Sequence, residues 1–94
     1  MNNNHEETLK LVNSILKETV PAKVTEDVTL DTAINGELAL DSVELMDVLL
    51  NVRDEISKKN EDVDVDKLLG FLFKAGEGDA ITVEALCNLI EELS

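Results

Sequence analysis

The spacing of apolar residues along the chain predicts four amphipathic helices. The first covers residues 6–20, where apolar side chains recur every three or four positions before a proline discourages continuation. The second covers 42–58, the third runs from 65 to about 76, and the fourth follows Thr82, a typical N-cap residue. This spacing assigns core-facing positions to each helix. In the first helix they are Leu9, Leu11, Val12, Ile15 and Leu16, and in the second they are Leu45, Leu49, Val52 and Ile56, with Met46 and Leu50 widening that face. In the third helix they are Val65, Leu68, Leu69, Leu72 and Phe73, and in the fourth they are Val83, Leu86, Leu89, Ile90 and Leu93.

Residues 22–40 show neither the alternation of a strand nor a helical period. Turn-forming residues separate Val28, Leu30 and Ile34, which we expect to pin this segment to the core. A connection of this length is uncommon in a compact domain and is typically functional. The prediction is therefore a single all-α domain over residues 1–94, a four-helix bundle with a long loop between its first two helices, with residues 1–5 as a flexible tail.

Composition adds a strong negative charge to this picture. Acidic residues outnumber basic ones by 21 to 8, which gives a formal charge of −13. Such a charge repels nucleic acids and anionic membrane surfaces and favours basic protein surfaces as partners. No N-terminal stretch resembles a signal sequence or a membrane span, and Cys87 is the single cysteine. We therefore expect a cytoplasmic protein without membrane insertion, in which Cys87 is a half-buried, unreactive thiol.

The beginning of the second helix carries the main candidate for chemistry. Asp41 and Glu44 have the spacing of a capping box, which places Ser42 in the first helical turn with its side chain exposed. The positive end of the helix dipole would favour a phosphodiester on the Ser42 oxygen. The alternative is that Ser42 is only a helix-start residue, and the Asp-Ser dipeptide alone does not separate the two.

The polar side of the second helix is acidic. Glu44, Asp47, Asn51 and Asp54 or Glu55 recur every three or four positions, away from the apolar positions. Like charges at this spacing repel one another by about 0.2–0.5 kcal/mol per pair. The pattern therefore indicates a surface used by a partner, and an ordinary solvated helix face is the alternative.

Other combinations of residues that could form a catalytic or metal-binding site are incomplete. His5 is the only histidine and lies in the predicted tail, so a Ser-His-acid triad on Ser42 is not expected. Asp62, Asp64 and Asp66 alternate like a calcium loop, but the turn glycine and the bidentate glutamate are missing. We expect no metal site and no catalysis by the chain itself.

Taken together, the chain resembles the acyl carrier protein family over residues 6–93. The resemblance is most specific at 38–46, read with the spacing from the first helix and with the Ile-Thr-Val opening of the last helix at 81–83. It implies a bundle of acyl-carrier type in which Ser42 carries 4'-phosphopantetheine, transferred from coenzyme A by a phosphopantetheinyl transferase. The terminal thiol of that group would hold acyl intermediates as thioesters for fatty-acid, polyketide or related specialised lipid biosynthesis.

The same resemblance implies roles for two further sets of residues. It implies a non-catalytic monomer that docks on the basic surfaces of acyl-loading and acyl-processing enzymes. The residues implied for partner recognition are Asp41, Glu44, Asp47, Asp54 and Glu55, and the candidates for an acyl-chain pocket, for which simple core packing is the alternative, are Met46, Leu50, Leu68 and Leu72.

The chain also departs from the family pattern. Ala39 and Val43 stand where the family commonly has Gly and Leu, and Arg53 interrupts the acidic positions, which favours a specialised pathway. The segment 64–80 is longer and more apolar than the short third helix usual in compact members. A carrier of amino acids is a close variant. An unmodified acidic adaptor that binds a basic protein is the rival from another class.

Overall fold

The computed structural model describes residues 5–58, 63–78 and 80–93. They form four helices, α1 (Glu6–Thr19), α2 (Ser42–Ser57), α3 (Val65–Gly76) and α4 (Val83–Leu93). No strand occurs in this part of the chain, so the predicted all-α four-helix bundle is confirmed. Helix α1 packs against α2 and α4, and α2 also contacts α3 and α4.

The core is aliphatic apart from Phe71 and Cys87. Along α2 the four predicted positions are all buried, and along α4 all five are. Among the described residues, no polar or charged side chain is buried. The side chains with no exposed surface at all, which mark the centre of the core, are Val12, Leu16, Ile34, Val48, Val52, Val83, Leu86 and Cys87.

The prediction that Met46 and Leu50 widen the buried face of α2 was wrong. Met46 and Leu50 are 38% and 46% exposed, whereas Val48 is completely buried. Each residue turns the helix by about 100°, so Val48 and the Met46–Leu50 pair flank the buried face on opposite sides. The flank that carries Val48 is covered by the rest of the bundle, and the flank that carries Met46 and Leu50 is not.

The predicted face of α3 was also wrong in part. Leu68 is buried and Leu72 is half-buried, but Val65, Leu69 and Phe73 are exposed. Phe71, which the pattern did not select, is buried instead. Helix α3 has apolar residues on two overlapping faces, so periodicity could not determine which face meets the core.

The long connection between α1 and α2 is held by apolar anchors. Val28 and Ile34 are buried and Leu30 is partly buried, as predicted, and Val24 and Leu40 are buried as well. Asn13 on α1 reinforces this packing, because its carboxamide oxygen accepts a hydrogen bond of 2.7 Å from the Val28 N–H.

The same loop also caps α4. The carbonyls of Thr32 and Leu30 accept the N–H groups of Val83 and Glu84, at 2.9 and 3.0 Å. The Thr82 hydroxyl accepts from the Ala85 N–H at 3.2 Å, which confirms the predicted N-cap. First-turn N–H groups lack intrahelical acceptors, so these bonds fasten the loop to α4 and set the chain path into α2.

Candidate functional site

The predicted capping box at the start of α2 is present. The Asp41 carboxylate accepts the Glu44 N–H at 2.8 Å, and the Glu44 carboxylate accepts the Asp41 N–H at 3.1 Å. Asp41 is therefore the N-cap, and Ser42 is the first residue of the helix.

Ser42 is exposed to solvent, and its hydroxyl makes no hydrogen bond within the described residues. The N–H groups of Ser42 and Val43 have no intrahelical acceptor, because they belong to the first turn. They lie at the positive end of the helix dipole, where an anion is stabilised. No described side chain contacts the Ser42 hydroxyl as a base.

Lys23 in the long loop supports this helix start. Its ammonium group donates to the Ala39 carbonyl at 2.8 Å and to the Glu44 carboxylate. The hydrogen bond from Lys23, followed by the one from the Asp41 N–H, holds the pKa of Glu44 below its ordinary value. Sequence reasoning missed Lys23, because a contact across 21 positions leaves no local signal.

Ala39, two residues before the cap, has a positive φ of 53°. This is the left-handed region, where a Cβ is disfavoured and glycine is preferred. The departure from the glycine noted in the sequence therefore has a physical consequence, since the chain turns into α2 through a strained alanine.

An apolar groove runs between α2 and α3 beside Ser42. It encloses a cavity of about 50 Å³ and brings together all four residues implied as an acyl-chain pocket, Met46, Leu50, Leu68 and Leu72. Its other lining residues are Leu49, Arg53, Val65 and Leu69. Of the four implied residues only Leu68 is fully buried, so the groove is open to solvent along one side.

Helix geometry places the groove in line with Ser42. Met46 follows Ser42 by four residues and Arg53 follows it by eleven, so both lie on the same face of α2 as Ser42. The predicted interruption of the acidic side by Arg53 was therefore wrong. Arg53 ends the groove about 16 Å along the helix axis from Ser42. The acidic residues lie on the adjoining edge of α2, where Asp54 follows Leu50 by one helical turn.

The five residues implied for recognition of partner proteins make different contacts within the chain. Asp41 is used by the cap, Glu44 is paired with Lys23, and Glu55 is paired with Lys58 at 2.9 Å. The Asp47 and Asp54 side chains are exposed and form no ion pair within the described residues, although the Asp54 charge helps to raise the pKa of Lys58. They are thus the carboxylates on this edge of α2 that are open to a basic partner.

Cys87 and His5 lie away from this site. Cys87 is completely buried, not half-buried as predicted, and burial raises the pKa of its thiol to about 11, with help from Glu91 and Glu84. The His5 ring nitrogen Nδ1 lies 2.8 Å from the Glu91 carboxylate on α4. The rest of the predicted tail, residues 1–4, lies outside the described residues, as does Asp62 of the calcium-like alternation.

Metal-binding clusters and membrane-spanning helices are both absent from the described residues. No group of histidine, cysteine or acidic side chains there could hold a metal ion. No helix in the same residues has the length and apolar character needed to cross a membrane.

No protein-family model matches the chain, and comparisons with curated proteins and with solved structures find no match either.

Proposed function

We propose that the chain is an acyl carrier protein whose Ser42 hydroxyl is the attachment point for 4'-phosphopantetheine. One observation carries the proposal. An exposed hydroxyl that has no hydrogen-bond partner among the described residues lies in the first turn of α2, on the same helix face as the open apolar groove lined by Met46 and Leu50.

The chain's own groups fit a phosphodiester at this position. The Ser42 and Val43 N–H groups and the helix dipole would stabilise its negative charge. Asp41 at the N-cap and Glu44 in the first turn are acids close to this position, and Lys23 partly offsets the charge of Glu44. The attached group would supply a flexible thiol that holds acyl groups as thioesters, a role for which the buried Cys87 thiol, with its raised pKa, is poorly suited.

The groove supports an acyl cargo as its occupant. Apolar side chains that remain exposed in a folded monomer commonly mark a binding surface. A chain attached at Ser42 would meet Met46 one helical turn away and Leu50 one turn further. The volume of the groove, about 50 Å³, is small, so a longer acyl chain would require α3 to move away from α2.

Partner enzymes would dock on the edge of α2 that carries Asp47 and Asp54. A phosphopantetheinyl transferase and the acyl-loading and acyl-processing enzymes would need basic surfaces to match it. Because Arg53 lies in the groove and not on this edge, it gives no reason to prefer a specialised pathway. Fatty-acid, polyketide and other specialised lipid biosynthesis all remain within the proposal.

The direct test is modification in vitro. Incubation with coenzyme A and a phosphopantetheinyl transferase should add one phosphopantetheine group, measured by intact-protein mass spectrometry. Ser42→Ala should abolish the adduct, and Ser14→Ala, which removes an exposed serine from α1, should retain it. Asp41 is the cap, so Ser42→Ala should change the unfolding free energy by less than about 0.5 kcal/mol.

Two results would contradict the proposal. Absence of an adduct with several competent transferases would favour the unmodified acidic adaptor, and an adduct that persists in Ser42→Ala would place the attachment elsewhere. Docking is tested separately with Asp47→Lys plus Asp54→Lys, which should lower kcat/KM of the transferase, against Glu6→Lys plus Glu7→Lys on α1 as the charge-matched control.

A further inference from the structure

A large cavity lies between α3 and α4, away from the groove between α2 and α3. It is an open groove of about 580 Å³. Its floor is formed by Phe71, Ile81 and Leu89, which are 9%, 4% and 8% exposed. Helix α3 packs mainly on α2, so the side of α3 that faces α4 is left uncovered. The volume is within the range of small-molecule sites.

Small residues keep this groove open. Gly70 on α3 and Ala85 on α4 both line it. A Cβ added at Gly70 would meet no atom within 4 Å, so the space beside this residue is empty. Glycine destabilises a helix interior relative to alanine, and Gly70 has no turn or positive φ that would require it.

Two lysines stand at the ends of the groove. Lys67 is paired with Glu92 across one end at 2.6 Å. Lys74 follows Lys67 by seven residues, about 10 Å along α3, and lines the other end. Its ammonium group has no acidic partner among the described residues, although the chain carries a formal charge of −13.

An apolar floor beside Lys74, which has no acidic partner in the part of the chain that the structure describes, fits an amphipathic monoanion. A neutral hydrocarbon would leave the Lys74 ammonium without a counter-ion. A polyanion would be repelled by Glu92 at the far end and by the net negative charge of the chain. A carboxylate at Lys74 followed by a straight hydrocarbon chain along the floor satisfies both features.

We propose that the groove between α3 and α4 reversibly binds a free straight-chain fatty carboxylate, with its carboxylate at Lys74. The site does not depend on modification of Ser42. The residues of α3 that line it, such as Gly70 and Lys74, lie on a different face of the helix from Leu69, which lines the groove with α2.

The test uses dodecanoate below the concentration at which it forms micelles, titrated into the full chain. Affinity is measured by calorimetry, and the site by chemical-shift changes of the α3 and α4 amides. Lys74→Gln should weaken binding about tenfold, the effect of losing a charge-assisted hydrogen bond. Lys10→Gln, which removes the same charge from an exposed site on α1, should change affinity less than twofold.

Two further variants separate this site from the one at Ser42. Gly70→Leu should fill the groove and abolish binding while thermal unfolding shows a folded protein, and Ser42→Ala should bind like the parent. The proposal is overturned if dodecanoate does not bind, if Lys10→Gln weakens binding as much as Lys74→Gln, or if dodecanol binds as tightly as dodecanoate. Shifts centred on Met46 and Leu50 would also overturn it, because they would place the ligand in the other groove.

Discussion

Leu49 and Leu50 are adjacent leucines of α2 with opposite environments, and they test whether the groove beside Ser42 is a surface feature. Leu49 is 3% exposed and Leu50 is 46% exposed. Leu49→Ala removes buried methyl groups and leaves a cavity, so it should lower the unfolding free energy by about 2–5 kcal/mol. Leu50→Ala loses about half of a leucine's transfer free energy and leaves no closed cavity, so it should cost about 1 kcal/mol.

The assay is urea unfolding followed by far-ultraviolet circular dichroism, with the parent and both variants at one salt concentration. The m-value should be the same for all three, so that the shift in midpoint reports stability alone. Each variant makes the same Leu→Ala change on the same helix, which cancels the difference in helix propensity. Equal destabilisation of the two variants would refute the reasoning, because Leu50 would then be part of the packed core.

If the chain is an acyl carrier, the Leu50 substitution should also change the stability of a bound acyl thioester. Leu50→Ala should speed hydrolysis of a bound acyl thioester, because a sheltering side chain is lost from the groove. An unchanged hydrolysis rate would mean that Leu50 does not shelter the cargo.

Three further predictions follow from the backbone, the charges and the thiol. Ala39→Gly should raise the unfolding free energy by about 0.5–1 kcal/mol, since glycine relieves the left-handed conformation, and a destabilised variant in urea unfolding would contradict this. The pKa of Glu44 is lowered in the folded state, so the stabilisation by its pair with Lys23 is present above the ordinary carboxylate pKa and is lost as pH falls through the lowered value. The stability difference between the parent and Lys23→Gln, measured by urea unfolding from pH 7 to pH 3, should therefore shrink at low pH, and a constant difference would exclude this linkage. Burial raises the pKa of Cys87 to about 11, so its thiol should react with Ellman's reagent at pH 8 at least about tenfold more slowly in the native protein than in urea, and equal rates would show that the thiol is accessible.

The helices of the bundle could be predicted because their signals are local. The capping box at Asp41 and Glu44 and the N-cap at Thr82 depend on residues three positions apart, and the structure has both. The apolar period of α1, α2 and α4 identified most of the buried side chains on those helices. Ser42 is exposed in the first turn of α2 because the cap alone determines where that helix begins.

The groove between α2 and α3 could not be predicted from the local sequence pattern. Met46 and Leu50 are apolar and have the helical spacing of core residues, and only the position of α3 leaves them partly exposed. The edge on which Arg53 lies follows from the helix turn of 100° per residue, but its role at the end of the groove depends on the neighbouring helix. Helix α3 was the least predictable element, because its apolar residues cover more than one face.

Long-range contacts left no trace in the sequence. The ion pair of Lys23 with Glu44 joins residues 21 positions apart, and the carbonyls of Leu30 and Thr32 cap a helix that begins some fifty residues later. Such contacts form only when the chain has folded, because no local preference brings their partners together.

The sequence by itself determined the helical class, the start of α2 at Ser42 and the acidic edge of that helix, because caps and helical periodicity act over three or four residues. Tertiary structure alone decided which apolar side chains are core and which form grooves, and which carboxylates are left without a cationic partner. The physical reason is that burial and ion pairing depend on what lies opposite a side chain, and in this bundle the opposite residue belongs to a distant part of the chain.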